Sequence, residues 1–296
     1  YMKGLSDLQA AIDSPEASQL RGYIGSLEPS EVSDFLTALG FTALYMHGTH
    51  VAGSAVEGNP FARVLTARIS FDYHAQPAPV LLEAARQHAQ SYEETVKYFQ
   101  EAGVRVVNMS WGWTFTEVQS SLEANGIGET AEERQKKTEK IFGTLYQGLH
   151  DAMASAPEIL FVIAAGNDDS DVAFDRSIPS AYDLPNILVV GAVDQAGERT
   201  GFTSMGENVI VYANGFEVES YVPGGARQAA NGTSMASPNA ANLAAKLLTV
   251  HPELSTTDVI SLIDRGADEL EGAEGLKLLN PAESMALLLA EEQSSK

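Results

Sequence analysis

Ile159-Leu160-Phe161-Val162-Ile163-Ala164 and Ile187-Leu188-Val189-Val190-Gly191-Ala192-Val193 are the two stretches that decide the fold. Both are short, rich in β-branched residues and apolar at nearly every position. A strand with one wet face alternates polar and apolar residues, whereas a continuous apolar run is buried on both faces, as in a parallel sheet covered by helices. Working outward, Val104-Arg105-Val106-Val107-Asn108-Met109 and Arg63-Val64-Leu65-Thr66-Ala67-Arg68-Ile69 read as two further strands. Helical patterns fill the gaps, from about Val80 to Gly103 and, in a long charged stretch, from about Ala131 to Ala154. Downstream lie two strand-like stretches around Val209 and Glu217, then helices from about Thr233, Thr256 and Pro281. Upstream, Leu5, Leu8 and Ile12, then Leu20, Tyr23 and Ile24, recur at helical spacing, and Pro29 opens a helix that should run through Phe35, Leu36 and Leu39 to Gly40. The expectation is an α/β domain over residues 46–296 preceded by a helical segment over residues 1–45.

Composition narrows the function classes. The 296 residues carry 18 Lys and Arg against 40 Asp and Glu, a formal net charge of −22. That field repels phosphate backbones and anionic lipid, so nucleic acid and membrane surfaces are poor partners. No apolar run reaches the roughly 18 residues of a spanning helix. There is no cysteine, which excludes a disulfide framework, a thiolate zinc site and a Cys nucleophile together. The residues after Tyr1 lack the apolar core of a secretory signal, and the chain reads as a trimmed or processed piece of a longer one.

Three short segments carry chemistry, each at a strand end or helix start, where open parallel sheets bind their ligands. In His47-Gly48-Thr49-His50-Val51-Ala52-Gly53, a histidine at a helix start can serve as a general base. Two histidines three apart are also compatible with a structural role or with metal binding, although the zincin spacing is absent. In Asn231-Gly232-Thr233-Ser234-Met235-Ala236-Ser237-Pro238, a serine in the first helical turn lies among unpaired N–H groups that suit a developing oxyanion. An ordinary helix cap would look similar. Ala164-Ala165-Gly166-Asn167-Asp168 ends a buried strand in a polar amide, which suits a second oxyanion donor or a plain turn.

Together, and in this order, these strings resemble the subtilisin-like serine peptidases, the subtilase family, over about residues 46–290. Val107-Asn108-Met109-Ser110-Trp111-Gly112 is similar to the family's substrate-binding strand, and Pro179-Ser180-Ala181-Tyr182 stands where the family has its counterpart. An α/β-hydrolase elbow does not fit, because Ala236 replaces its second glycine and His47 precedes the serine. The resemblance implies a three-layer α/β fold with a mostly parallel central sheet flanked by helices. It implies a serine endopeptidase in which His47 is the general base, Ser234 the nucleophile, and Asn167 with the Ser234 N–H the oxyanion hole. Ser110, Trp111, Gly112, Ala165 and Gly166 would line an extended polypeptide substrate, with Trp111 near pockets for apolar side chains. His50 would pack or hydrogen-bond within the helix. No organic cofactor is implied, and secretion or a periplasmic location follows from the resemblance alone.

One expected element has no match. The family's aspartate ends an apolar strand some thirty residues before the histidine. Ala11-Ile12-Asp13-Ser14 has the spacing, but Leu5 to Ala10 is a helical pattern and no glycine follows Asp13-Ser14. The expectation is that this aspartate lies on a fragment upstream of Tyr1. The segment after Gly53 is short and lacks a calcium loop. Asp168, Asp169, Asp171 and Asp175 supply oxygen ligands for calcium but read as a solvated turn. The rival reading is a non-catalytic module of the same shape that binds extended peptides or protein partners.

Overall fold

The computed structural model describes residues 1–269 and 275–294. Three helices come first, α1 (Met2–Gln9), α2 (Pro15–Ser26) and α3 (Pro29–Val56). Strands and helices then alternate: α4 (Leu82–Glu101), β1 (Val106–Met109), α5 (Phe115–Ala124), α6 (Ala131–Ala154), β2 (Leu160–Ala164), β3 (Ile187–Val193) and β4 (Val209–Asn214). A hairpin of β5 (Val218–Tyr221) and β6 (Arg227–Ala230) leads into α7 (Thr233–Val250) and α8 (Thr256–Gly266). The short strands β7 (Asp268–Glu269) and β8 (Lys277–Leu278) and helix α9 (Pro281–Ser294) complete the described chain.

The main sheet runs β1-β2-β3-β4-β8-β7, parallel except for the last pair. Its register sets Val106 beside Leu160 and Phe161 beside Ile187. Successive side chains leave a strand on opposite faces, so an unbroken apolar run feeds two cores at once. Phe161, Ile163, Ile187 and Val189 join Phe142, Leu145 and Leu149 of α6 and Val96 and Phe99 of α4 on one side. Leu160, Val162, Leu188 and Val190 join Ala240, Ala244 and Leu247 of α7 and Val259 and Ile263 of α8 on the other. This is the expected three-layer, mostly parallel α/β fold.

The structure departs from the sequence reading in two places. First, α3 does not stop at Gly40 and restart near His47. It is one helix of 28 residues, opened by a reciprocal cap between Glu28 and Glu31, and His47 sits in its interior rather than at a helix start. The boundary drawn at residues 45 and 46 therefore falls inside this helix. Gly40 marks a close approach instead of a stop, because a Cβ there would lie 2.7 Å from the Tyr73 carbonyl oxygen.

Second, Arg63 to Ile69 is not a strand. Residues 63–71 are irregular and mostly exposed, and their backbone makes no hydrogen bond within the described protein. Phe71 rests against Trp111 and Trp113, and Ala75 donates its N–H to Thr37 Oγ1 on α3, so the segment spans from the β1 end to α3. β-Branched composition makes a strand only where a neighbour supplies the ladder. Among the described residues this segment has none, and β1 likewise has one paired edge and one open edge.

Candidate active site

The turn from β6 into α7 builds the centre of the site. Gly232 has φ +141°, a conformation that L side chains rarely adopt, and is buried at the helix cap. It places Thr233 and Ser234 as the first two helical residues, where N–H groups have no intrahelical acceptor. Four residues beyond Ser234 stands Pro238, inside the helix. Proline has no N–H, so the Ser234 carbonyl loses its i→i+4 donor. Ser110 Oγ, at the end of β1, donates to that carbonyl instead, at 2.9 Å. In return Ser234 Oγ donates to the Ser110 carbonyl at 3.2 Å. Asn108 donates from Nδ2 to Ser110 Oγ at 2.9 Å and accepts from Ser237 Oγ at 2.5 Å. The carboxyl end of β1 is thus locked to the first turns of α7.

Asn167 is fixed from the same turn. Its Oδ1 accepts from the Thr233 N–H at 2.9 Å and from Thr233 Oγ1 at 3.0 Å, while Thr233 Oγ1 accepts from the Gly166 N–H at 3.2 Å. With the carbonyl end of the amide occupied, Nδ2 has no acceptor among the described residues, and Asn167 is exposed to solvent. Ser234, Asn167 and Ser110 are therefore brought into one hydrogen-bonded cluster.

His47 stands apart in its bonding. It is half-buried on α3, a helix that packs along α7, but makes no side-chain hydrogen bond to Ser234 or to any carboxylate among the described residues. Desolvation, and to a lesser degree the nearby His50, lower its pKa below the ordinary histidine value, which favours the neutral ring. Asp13 does not serve it. That residue is exposed between α1 and α2 and pairs with Arg21 at 2.7 Å. His50 bonds outside its own helix, because its buried Nε2 reaches the carbonyls of Val218 and Gln228 at 3.0 and 2.9 Å. Two carbonyl acceptors require that nitrogen to carry the proton. Gly53 brings the hairpin this close, since a Cβ there would meet Ser220 Oγ at 2.4 Å.

Beyond Ser110, the chain pairs with Ile178 only at Trp113, through reciprocal backbone bonds of 2.9 and 2.8 Å. Among the described residues Trp111 and Gly112 make no backbone–backbone bond. Gly166 is fully used by the protein, its N–H on Thr233 and its carbonyl accepting from the Ser204 N–H at 3.0 Å. The N–H of buried Ala165 donates to Val190 at 3.0 Å.

The acidic loop serves its own backbone. Asp171 Oδ1 accepts from the N–H groups of Ala173 and Phe174 at 2.9 Å each. Partial burial and the charge of Asp175 hold the Asp168 carboxyl above its usual pKa. Among the described residues no group of three or more His, Asp or Glu side chains could hold a metal ion.

Comparison with known proteins gives this geometry a family. The model of the subtilase family, Peptidase_S8, matches residues 41–280. The chain belongs to the subtilase family. It is 31% identical to subtilisin DY of Bacillus licheniformis over 225 residues, which is 76% of this chain and 71% of that one. It is 29% identical to subtilisin E of Bacillus subtilis strain 168 over the same share of this chain, but spans only 51% of that relative's length. Among solved structures, a cold-adapted subtilisin-like serine proteinase superposes with a TM-score of 0.54 at 23% identity, over 80% of this chain and 75% of the other. A lanthipeptide protease superposes with a TM-score of 0.58 at 16% identity, over 82% and 75%. Subtilases are serine-type endopeptidases, and helix α1 lies outside the stretch matched to the family.

Asn108, Thr233 and Ser237 are the contributors that the sequence reading missed. A signal for the bond between Ser110 and Ser234 was present: Pro238, four residues after Ser234, announces a carbonyl that needs an outside donor.

Proposed function

We propose that the protein is a serine endopeptidase in which Ser234 attacks the scissile carbonyl and His47 takes its proton. The observation that carries this reading is the shared anchor on Thr233, which ties the Asn167 amide to the first turn of the helix bearing Ser234. The tetrahedral oxyanion would sit between Asn167 Nδ2 and the Ser234 N–H, donors that need no rearrangement as the charge develops. His47 then gives the proton to the leaving amine, an acyl-enzyme remains, and water activated by the same ring hydrolyses it. Ser234 Oγ must first swing from the Ser110 carbonyl toward His47. That carbonyl and the backbone of Trp111 and Gly112 would then bind the substrate as an added strand, with the Ala165 carbonyl alongside. Trp111, packed with Tyr92 and Phe71, suits apolar substrate side chains. Secretion or a periplasmic location is part of the same reading. No helix among the described residues is long and apolar enough to cross a membrane.

The orienting carboxylate for His47 is proposed to come from polypeptide outside residues 1–296, on a strand that adds to the open edge of β1. Two features support it. β1 offers an unpaired parallel edge, and the β-branched residues 63–71 face no ladder of their own.

A fluorophosphonate probe tests the assignment. Covalent labelling at Ser234 that disappears in both Ser234→Ala and His47→Ala supports it. A protein supplied with the missing strand that takes no label is the non-catalytic, peptide-binding module instead.

Two further outcomes follow. Asn167→Leu removes one oxyanion donor and should lower kcat by about 10²–10³, with KM for a peptide ester little changed. Because the base works in its neutral form, kcat/KM should fall as pH drops through the His47 pKa, which burial and His50 hold below about 6.5. A carboxylate placed on the ring favours its protonated form, so supplying the strand should move that acidic limb to higher pH.

A further inference from the structure

Asp7 is 1% exposed, a nearly complete burial that a carboxylate tolerates only with partners. Its Oδ2 accepts from Ser14 Oγ at 2.6 Å and from Lys3 Nζ at 2.9 Å. Its Oδ1 accepts from Asn231 Nδ2 at 3.0 Å. Asn231 is three residues before Ser234 and is held on two more sides. Its N–H donates to Ser6 Oγ at 2.9 Å, and its Oδ1 accepts from the Glu217 N–H at 2.7 Å. Lys3 also reaches Glu217 at 3.3 Å, and Gly232 donates its N–H to Gly215 at 2.8 Å. The N–H, Nδ2 and Oδ1 of Asn231 are each engaged by α1 or the β4–β5 turn, and the chain entering the nucleophile helix is gripped from both.

We infer that Asp7 is a positioning residue for peptide-bond hydrolysis: through Asn231 it makes α1 a clamp that sets the Gly232-Thr233-Ser234 turn. The inference rests on Ser234 being the nucleophile. Burial works against the Asp7 charge, but the hydrogen bonds from Ser14, Lys3 and Asn231 outweigh it and its pKa lies below the usual carboxylate value, so the clamp stays ionised at neutral pH. Thr233 transmits the setting, because the residue that follows the clamped pair also carries Asn167. A shift of the turn would misplace the nucleophile and both oxyanion donors together.

The test is the time course of fluorophosphonate labelling at saturating probe, on the full chain and its variants. Its amplitude counts folded, competent molecules, and its rate constant reports the geometry of the site in those molecules. Asp7→Ala should lower the rate constant by about 10- to 100-fold. For a p-nitrophenyl ester, kcat should fall with KM unchanged. A rate constant within twofold of the parent, with only the amplitude reduced, makes Asp7 a stability residue and overturns the inference. If Asp7→Ala gives no folded protein, Ser6→Ala decides. It removes a single acceptor from Asn231, and it should slow labelling by about 2- to 10-fold, whereas an unchanged rate constant overturns the clamp. Absence of labelling in the parent supplied with the orienting strand would instead remove the nucleophile assignment itself.

Discussion

In the protein supplied with a strand that carries the orienting carboxylate, Ser234→Ala should reduce peptide hydrolysis by about 10⁶-fold, and His47→Ala alone, or the two together, by nearly as much. That is the size and the non-additivity known for the relative subtilisin, where nucleophile and base act as one unit. Once the hydroxyl is gone the imidazole has nothing to activate, and the reverse also holds. The residual rate, about 10³–10⁴ above water, should come from Asn167 and the strand at Trp111 and Gly112, which neither substitution touches. A parallel Asn167→Leu in the Ser234→Ala background should therefore erase much of that residue. Single-turnover rates on a chromogenic peptide, with intact mass to exclude contaminating protease, measure all three. A Ser234→Ala protein within tenfold of the parent would remove Ser234 from the chemistry.

The second large effect concerns the open edge of β1. A strand that brings a carboxylate to His47 should raise kcat by about 10⁴, the cost of altering the orienting aspartate in such triads. The carboxylate holds the imidazole in the productive tautomer and stabilises the imidazolium as Ser234 loses its proton. The gain should be abolished when the strand carries Asn in place of its acid, while the strand itself still binds. Binding reads out separately, as amide-exchange protection over residues 63–71 and 106–109, whose backbone groups have an open side. Protection without acceleration would place the carboxylate elsewhere. Acceleration without protection would place the strand elsewhere.

Much of this architecture was legible along the chain because its signals are local. The helix expected from Ala131 to Ala154 has those bounds in the structure, set by a Thr130 cap and a 3.6-residue apolar stripe. The runs at Ile159 and Ile187 became β2 and β3 because nothing polar interrupts them. Residues 63–69 carry the same composition and remain irregular, since a strand is a pairing and the pairing partner is not written in the strand. Gly40 reads as a helix stop until the Tyr73 carbonyl is seen resting where its Cβ would be.

Residue type and period along the chain suffice for a helix-covered parallel sheet, and the resemblance of its motifs to the subtilase family adds His47, Asn167 and Ser234 as candidate reactive groups. Only the tertiary structure decided that Asn167 is tied to Thr233, that Ser110 replaces the donor Pro238 cannot supply, that His47 has no carboxylate among the described residues, and that Asp7 reaches Asn231 from 224 positions away. Each of these is a contact about 3 Å long or its absence. Such a contact depends on how whole elements dock, which no local pattern specifies.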